Sequence, residues 1–110
     1  MYDVVALGEL LIDFTPSGIS ENGSKLYEQN PGGATANVLA VLAKLGKKTA
    51  FIGKVGRDQF GYFLKDVLVN LNIDTKGLMF SDDVNTTLAF VHLDETGDRS
   101  FSFYRNPGAD

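Results

Sequence analysis

The chain predicts an α/β fold: a parallel sheet with helices, from which a β-hairpin is extruded. Three observations lead there. Val4-Val5-Ala6-Leu7 and Thr49-Ala50-Phe51-Ile52 are short apolar runs that each stop at a glycine, as buried parallel strands do. A helical pattern lies between these runs and another follows the second, the order of a βαβ unit with its right-handed crossover. Beyond Phe80 the pattern changes to two β-rich runs joined by a polar turn.

The elements follow in order. After the first strand, Leu10 to Phe14 continues as extended chain around one acid, Asp13, and Pro16 to Lys25 reads as a loop rich in Gly, Ser, Asn and Glu. Gly32-Gly33 then opens a helix. Two glycines let the backbone turn tightly and approach a ligand, and the first N–H groups of the helix are left to donate. The helix runs to Lys44 and is apolar nearly all round, which predicts burial on most sides. Gly46 is its C′ residue, with Lys44, Lys47 and Lys48 near the negative end of its dipole. The second strand, Thr49 to Gly53, follows.

Asp58 is the expected N-cap of the next helix, whose apolar face is Phe60, Phe63, Leu64, Val67, Leu68 and Leu71. Asn72 closes it in the left-handed conformation. Ile73 to Phe80 holds a short strand with Gly77 as a break. Thr86 to Leu93 and Ser100 to Arg105 form the hairpin around Asp94-Glu95-Thr96-Gly97-Asp98-Arg99. Leu88, Phe90 and His92 share one face and Ala89, Val91 and Leu93 the other. Both faces are largely apolar, so each should be covered, one by a ligand and one by a partner or the core.

Bulk composition narrows the function. The chain has 110 residues, enough for one small domain, and 44% are hydrophobic. A net charge of -4 without any basic block leaves nucleic acid no electrostatic footprint. Cysteine is absent, which excludes disulfides and thiolate metal sites and fits a reducing compartment. The first residues lack the basic region of a signal peptide, and no segment reaches the ~20 apolar residues of a membrane span, so a cytoplasmic protein with no membrane partner is expected. Asn22-Gly23-Ser24 and Asn85-Thr86-Thr87 are read as turn or strand residues, not glycosylation sites. His92 is the only histidine, with no second ligand at metal spacing, and is read as a strand-face residue. Gly53-Lys54 is no phosphate loop, because Gly46 is wrongly spaced and Val55 stands where Ser or Thr is needed.

Four segments carry a family resemblance: Gly8-Glu9-Leu10-Leu11-Ile12-Asp13; Pro31-Gly32-Gly33-Ala34-Thr35-Ala36-Asn37; Leu45-Gly46 through Gly53-Lys54-Val55-Gly56-Arg57-Asp58-Gln59-Phe60-Gly61; and Gly97-Asp98-Arg99-Ser100-Phe101-Ser102-Phe103-Tyr104-Arg105. In this order they resemble the N-terminal part of a ribokinase-like (PfkB) carbohydrate kinase, nearest the fructokinase and 2-keto-3-deoxygluconate-kinase branch. The resemblance runs from Val4 to Asp110. Thr35 stands where many fructokinase-like members have proline or glycine. The polar residue near Leu11 and the lysine near Ala34 of ribose-specific members are missing, which points away from ribose.

The resemblance implies a three-layer α/β/α fold, here in its N-terminal portion (1–110), with a small β lid formed from about 10–30 and 86–105. It implies transfer of the ATP γ-phosphoryl to a sugar hydroxyl, with ATP and Mg2+ as cofactors of the parent enzyme and none for these residues alone. The catalytic base of the family lies in a Gly-Ala-Gly-Asp motif that these residues do not contain, so no catalytic residue is assigned and Asp110 of Pro107-Gly108-Ala109-Asp110 is not expected to be the base. The ATP-binding half is expected outside the 110 residues.

The expected sugar contacts are Asp13, Gly32, Gly33, Asn37 and Arg105. Read from the residues alone, Asp13 is equally a turn acid, Gly32-Gly33 a tight turn, Asn37 a helix-start residue and Arg105 a solvated strand-end charge. The resemblance makes them substrate residues. Tyr104, Asp58 and Gly61 are expected to be structural. The implied partners are a sugar and, through the lid, a second copy of the parent enzyme. The competing reading is a non-catalytic α/β ligand-binding or dimerisation module.

Overall fold

A computed structural model of the chain describes residues 1–105 and Gly108. Among these residues the elements are β1 (Val4–Leu7), β2 (Leu11–Ile19), β3 (Lys25–Gly32), α1 (Ala34–Lys44), β4 (Thr49–Gly56), α2 (Gln59–Asn70), β5 (Ile73–Ser81), β6 (Leu88–Leu93) and β7 (Arg99–Tyr104). They make two sheets. One is parallel and three-stranded, in the order β1-β4-β5; the other has the order β3-β2-β6-β7.

The parallel sheet is covered on one face. Leu39 of α1 and Leu64 and Leu68 of α2 pack with Phe51, Val55, Ile73 and Leu78 into one core with Leu10 and Ile12. Burial of such side chains stabilises by about 1.5–3 kcal/mol each. The opposite face shows Val5, Leu7, Ile52 and Met79 to solvent. β1 is therefore a half-exposed edge strand, not the buried one expected. β4 is the central strand, so the open edges are β1 and β5. The burial expected for α1 is also corrected. Only Ala36 and Leu39 are buried, while Val38 and Val41 are exposed, because one helix face meets the sheet and nothing among the described residues meets the other.

The helix ends agree with the sequence reading. Gly46 has φ 84 and donates to Ala43, and Lys47 donates to Leu42, which closes α1 in a Schellman motif. Asp58 caps α2 by accepting from Gly61 N–H at 2.8 Å. Asn72 closes α2 with φ 61.

The largest difference concerns the segment read as a loop. β2 runs on through Pro16 to Ile19, with an irregularity between Pro16 and Gly18, and returns as β3 after a turn at Ser20 to Ser24. Gly77 does not break β5 but pairs with Ile52 inside it, where the β4–β5 register shifts. β6 lies parallel to β2 and antiparallel to β7, so the hairpin and the β2–β3 ribbon form one lid sheet. Arg105 is one residue past β7. The Asp110 reading lies outside the described residues.

Candidate functional site

The site begins at the Gly32–Gly33 turn. Gly33 has φ 114, and a Cβ there would overlap the Glu9 carbonyl oxygen. A Cβ on Gly32 would overlap the Asp13 carboxylate. Both glycines are thus needed for close approach: the turn is held between the β1–β2 connection and the side chain of Asp13.

Strand register brings the lid residues to the same place. Asn30 on β3, Asp13 on β2, Ala89 on β6 and Phe103 on β7 stand opposite one another in a single cross-strand row, and share one face of the sheet. Arg105 places its guanidinium 4.6 Å from the Phe103 ring centroid, a cation–π contact. The same guanidinium lies 3.6 Å from the Glu9 carboxylate. Asn30 Nδ2 donates to Thr15 Oγ1 at 2.9 Å on the same face.

Asp13 is the unusual member. It is partly buried, and burial raises its pKa from the ordinary value of 3.8. No hydrogen bond reaches its carboxylate from the described residues. A partly exposed acid with spare acceptor capacity beside a diglycine turn is suited to an incoming hydroxyl.

Asp13 and the Glu9 backbone thus lie against the Gly32–Gly33 turn, and Arg105 faces the Glu9 carboxylate. Asn37 joins through its backbone: its N–H donates to the Gly33 carbonyl at 3.1 Å. Its side chain is exposed and borders a small groove between the helices, lined by Leu10, Gly32, Ala36 and Leu68. Tyr104 is turned to the other face, edge-on to Phe90 at 5.4 Å.

A second constellation holds the lid to the helical layer. Asp58 accepts from Gly61 N–H, from Thr86 N–H at 2.9 Å and from the Thr86 hydroxyl at 2.7 Å. That hydroxyl in turn accepts from Gly56 N–H at 2.9 Å. Burial is the largest single influence on Asp58 and pushes its pKa up. The hydrogen bonds from Thr86, Gly61 and Phe60 together outweigh it and hold the pKa below 3.8. The end of β4, the start of α2 and the entry to β6 thus meet at one carboxylate. This is a structural role, as the sequence predicts.

No group of three His, Cys, Asp or Glu converges among the described residues. Lys54 sits on the exposed side of β4 with no glycine-rich loop around it. His92 is exposed and pairs with Ser102 at 2.9 Å. No helix among the described residues is long and apolar enough to cross a membrane.

The model of the "pfkB family carbohydrate kinase" matches residues 1–110. The chain belongs to this family. It is 50% identical over 109 residues to the probable fructokinase-6, chloroplastic, of Arabidopsis thaliana, covering 97% of this chain and 28% of that protein. It is 48% identical to fructokinase-2 of Zea mays, with 97% and 32% covered. A crystal structure of fructokinase from Xylella fastidiosa superposes with TM-score 0.90 at 42% identity, over 97% of this chain and 33% of that one. The Vibrio cholerae O395 fructokinase in its fructose-, ADP- and calcium-bound form gives 0.82 at 38% identity, over 97% and 33%. The chain spans about a third of the length of these family members.

Sequence reasoning passed over Glu9 and Asn30. Glu9 lies inside a segment quoted for the resemblance, next to the first glycine. Asn30 becomes visible only once β2 and β3 are paired. Phe103 was legible as sharing the face of Arg105.

Proposed function

We propose that these residues form the sugar-binding side and lid of an ATP-dependent carbohydrate kinase acting on a neutral ketose, fructose by the names of its relatives. The carrying observation is Asp13: a partly buried carboxylate without a donor among the described residues, against a diglycine turn, on the same sheet face as an arginine stacked on phenylalanine. Asp13 accepts hydrogen bonds from sugar hydroxyls, Arg105 donates to sugar oxygens, and Gly32 and Gly33 let the ring come close to the backbone. The lid sheet covers the sugar and keeps water from the transferred group.

ATP supplies the phosphoryl group and Mg2+ offsets its charge. The chain spans about a third of its relatives' length, and both are assigned to the part of the family's length that it does not span, as are the catalytic base and the groups that stabilise developing charge. The name of one structural neighbour, a fructokinase with bound ATP, supports ATP as the nucleotide. Half-exposed Phe101, Phe103 and Tyr104, with Ile19 and Leu93, make the lid the expected contact between two copies of the enzyme. The absence of cysteine suits the cytoplasm.

The test is ADP release by the full-length gene product with ATP, Mg2+ and a panel of sugars. Turnover is expected with fructose. A product that binds sugar but releases no ADP with any of them would instead favour a ligand-binding module.

A further inference from the structure

We propose that Asn22, at the tip of the β2–β3 ribbon, is a self-modification site: the Gly23 main-chain nitrogen attacks its side-chain amide, and the resulting aspartate and isoaspartate loosen the tip of the lid as the protein ages.

The reaction needs an asparagine amide in reach of an unhindered main-chain nitrogen. That nitrogen gives up its proton and bonds to Asn22 Cγ, and the Cγ–Nδ2 bond breaks with loss of ammonia. The five-membered imide so formed is opened by water. Attack at Cγ gives aspartate. Attack at the Asn22 main-chain carbonyl leaves Gly23 joined through Cγ, which is isoaspartate. Water is the only co-reactant.

Asn22 is the only asparagine of the sequence followed by glycine. Asn30 and Asn106 precede prolines, which have no N–H to lose. The residues after the other asparagines, Val38, Leu71, Ile73 and Thr86, each carry a side chain beside the nitrogen, and the Thr86 N–H is also held by Asp58. Asn22, Gly23 and Ser24 are all exposed. A Cβ on Gly23 would meet open space, so the nitrogen is approachable. The Asn22 amide has no hydrogen-bond partner among the described residues to hold it away.

One contact opposes the attack. Gly23 N–H donates to the Ser20 carbonyl at 3.0 Å, inside the turn closed by Ser20 N–H on the Ser24 carbonyl at 2.8 Å. This bond must open before the nitrogen can lose its proton. It sits at the far end of the ribbon, because β2 pairs with β6 only at Ile12, Asp13 and Phe14. An exposed tip held by few contacts opens locally without global unfolding. The products then reshape the turn. Isoaspartate adds a methylene to the main chain between Ser20 and Ser24, and both products add a negative charge beside Glu21. The turn sets the pairing of Ile19 with Lys25, so that end of the ribbon frays first.

The experiment incubates the full-length gene product and the peptide Ile19–Leu26 side by side at neutral and alkaline pH. Peptide mapping by mass spectrometry follows each asparagine, with an isoaspartate assay. Asn22 should convert at least about tenfold faster than any other asparagine of the folded protein, equal to about 1.4 kcal/mol in barrier. Conversion should quicken with pH and run no more than about tenfold slower than in the peptide. Asn22→Gln should remove the isoaspartate, because its longer side chain closes a less favourable ring. In the aged wild type, the Ser20 and Ser24 amides should exchange hydrogen faster than in fresh protein. A smaller lead over the other asparagines, or a larger lag behind the peptide, overturns the proposal by making the turn a shield. So does isoaspartate that persists in Asn22→Gln, or an aged protein whose Ser20 and Ser24 exchange is unchanged.

Discussion

Replacing Asp58 by alanine removes its hydrogen bonds from Gly61 and Thr86 at the point where β4, α2 and β6 meet. Loss of an N-cap costs about 1 kcal/mol. The Thr86 N–H, on a residue that is 3% exposed, is left without its acceptor, which adds about 1–3 kcal/mol. Asp58→Ala is therefore expected to destabilise by about 2–4 kcal/mol. Asp58→Asn should cost less, because its amide oxygen still caps α2. The assay is urea denaturation of the full-length gene product, with a double-mutant cycle against Thr86→Val. A coupling of at least about 1 kcal/mol is expected. The acid limb carries a further signature. The Asp58 pKa is held below 3.8, so the stability it contributes is present above that pH and is lost as pH falls through the folded value. Asp58→Asn should flatten this loss. A cost below about 0.5 kcal/mol for Asp58→Ala, or additivity with Thr86→Val, would refute the junction.

Other consequences are directly measurable. Gly33→Ala combines a positive φ with overlap of the Glu9 carbonyl, and should cost about 2–4 kcal/mol in a urea melt; an unperturbed melt would show the turn to be adaptable. Burial raises the Asp13 pKa, so its contribution to stability is present below 3.8 and lost as pH rises through the folded value. Asp13→Asn should therefore melt at or above the wild type at pH 7, and a lower melting temperature there would contradict the account. The 110-residue chain by itself exposes Val5, Leu7, Ile52 and Met79 on one sheet face and Val38, Val41 and Leu45 on α1. Light scattering after size exclusion should show self-association, and a stable monomer with a sharp urea transition would argue for a self-sufficient domain.

Periodicity carried the helices, and local chemistry carried their ends. Phe60, Phe63, Leu64, Val67 and Leu68 mark one face of α2 unambiguously, and Asp58, Gly46 and Asn72 have side chains or backbone freedom that act within a turn. The β2–β3 ribbon was not readable in this way. Thr15-Pro16-Ser17-Gly18 and Lys25-Leu26-Tyr27-Glu28 contain turn formers and polar residues, and become strands because they pair with each other and with β6. The exposed side of α1 was misread for a related reason: an apolar helix announces that it needs cover, not which element supplies it. Within the site, Asp13, Gly32 and Gly33 were legible because each occupies an unusual place, an acid among apolar residues or a paired glycine. Glu9 resembles any exposed glutamate until the end of β7 is folded against it.

The central claim is that the face carrying Asp13 and Arg105 holds the sugar. It is tested most directly by steady-state kinetics of Asp13→Asn and Arg105→Ala in the full-length gene product, varying sugar and ATP separately. A charged hydrogen bond is worth about 1.5–3 kcal/mol, so each variant should lose about 10- to 150-fold in kcat/KM for sugar. The KM for ATP should stay within about twofold of wild type. Unchanged sugar KM and kcat in both variants, with the fold intact, would contradict the account.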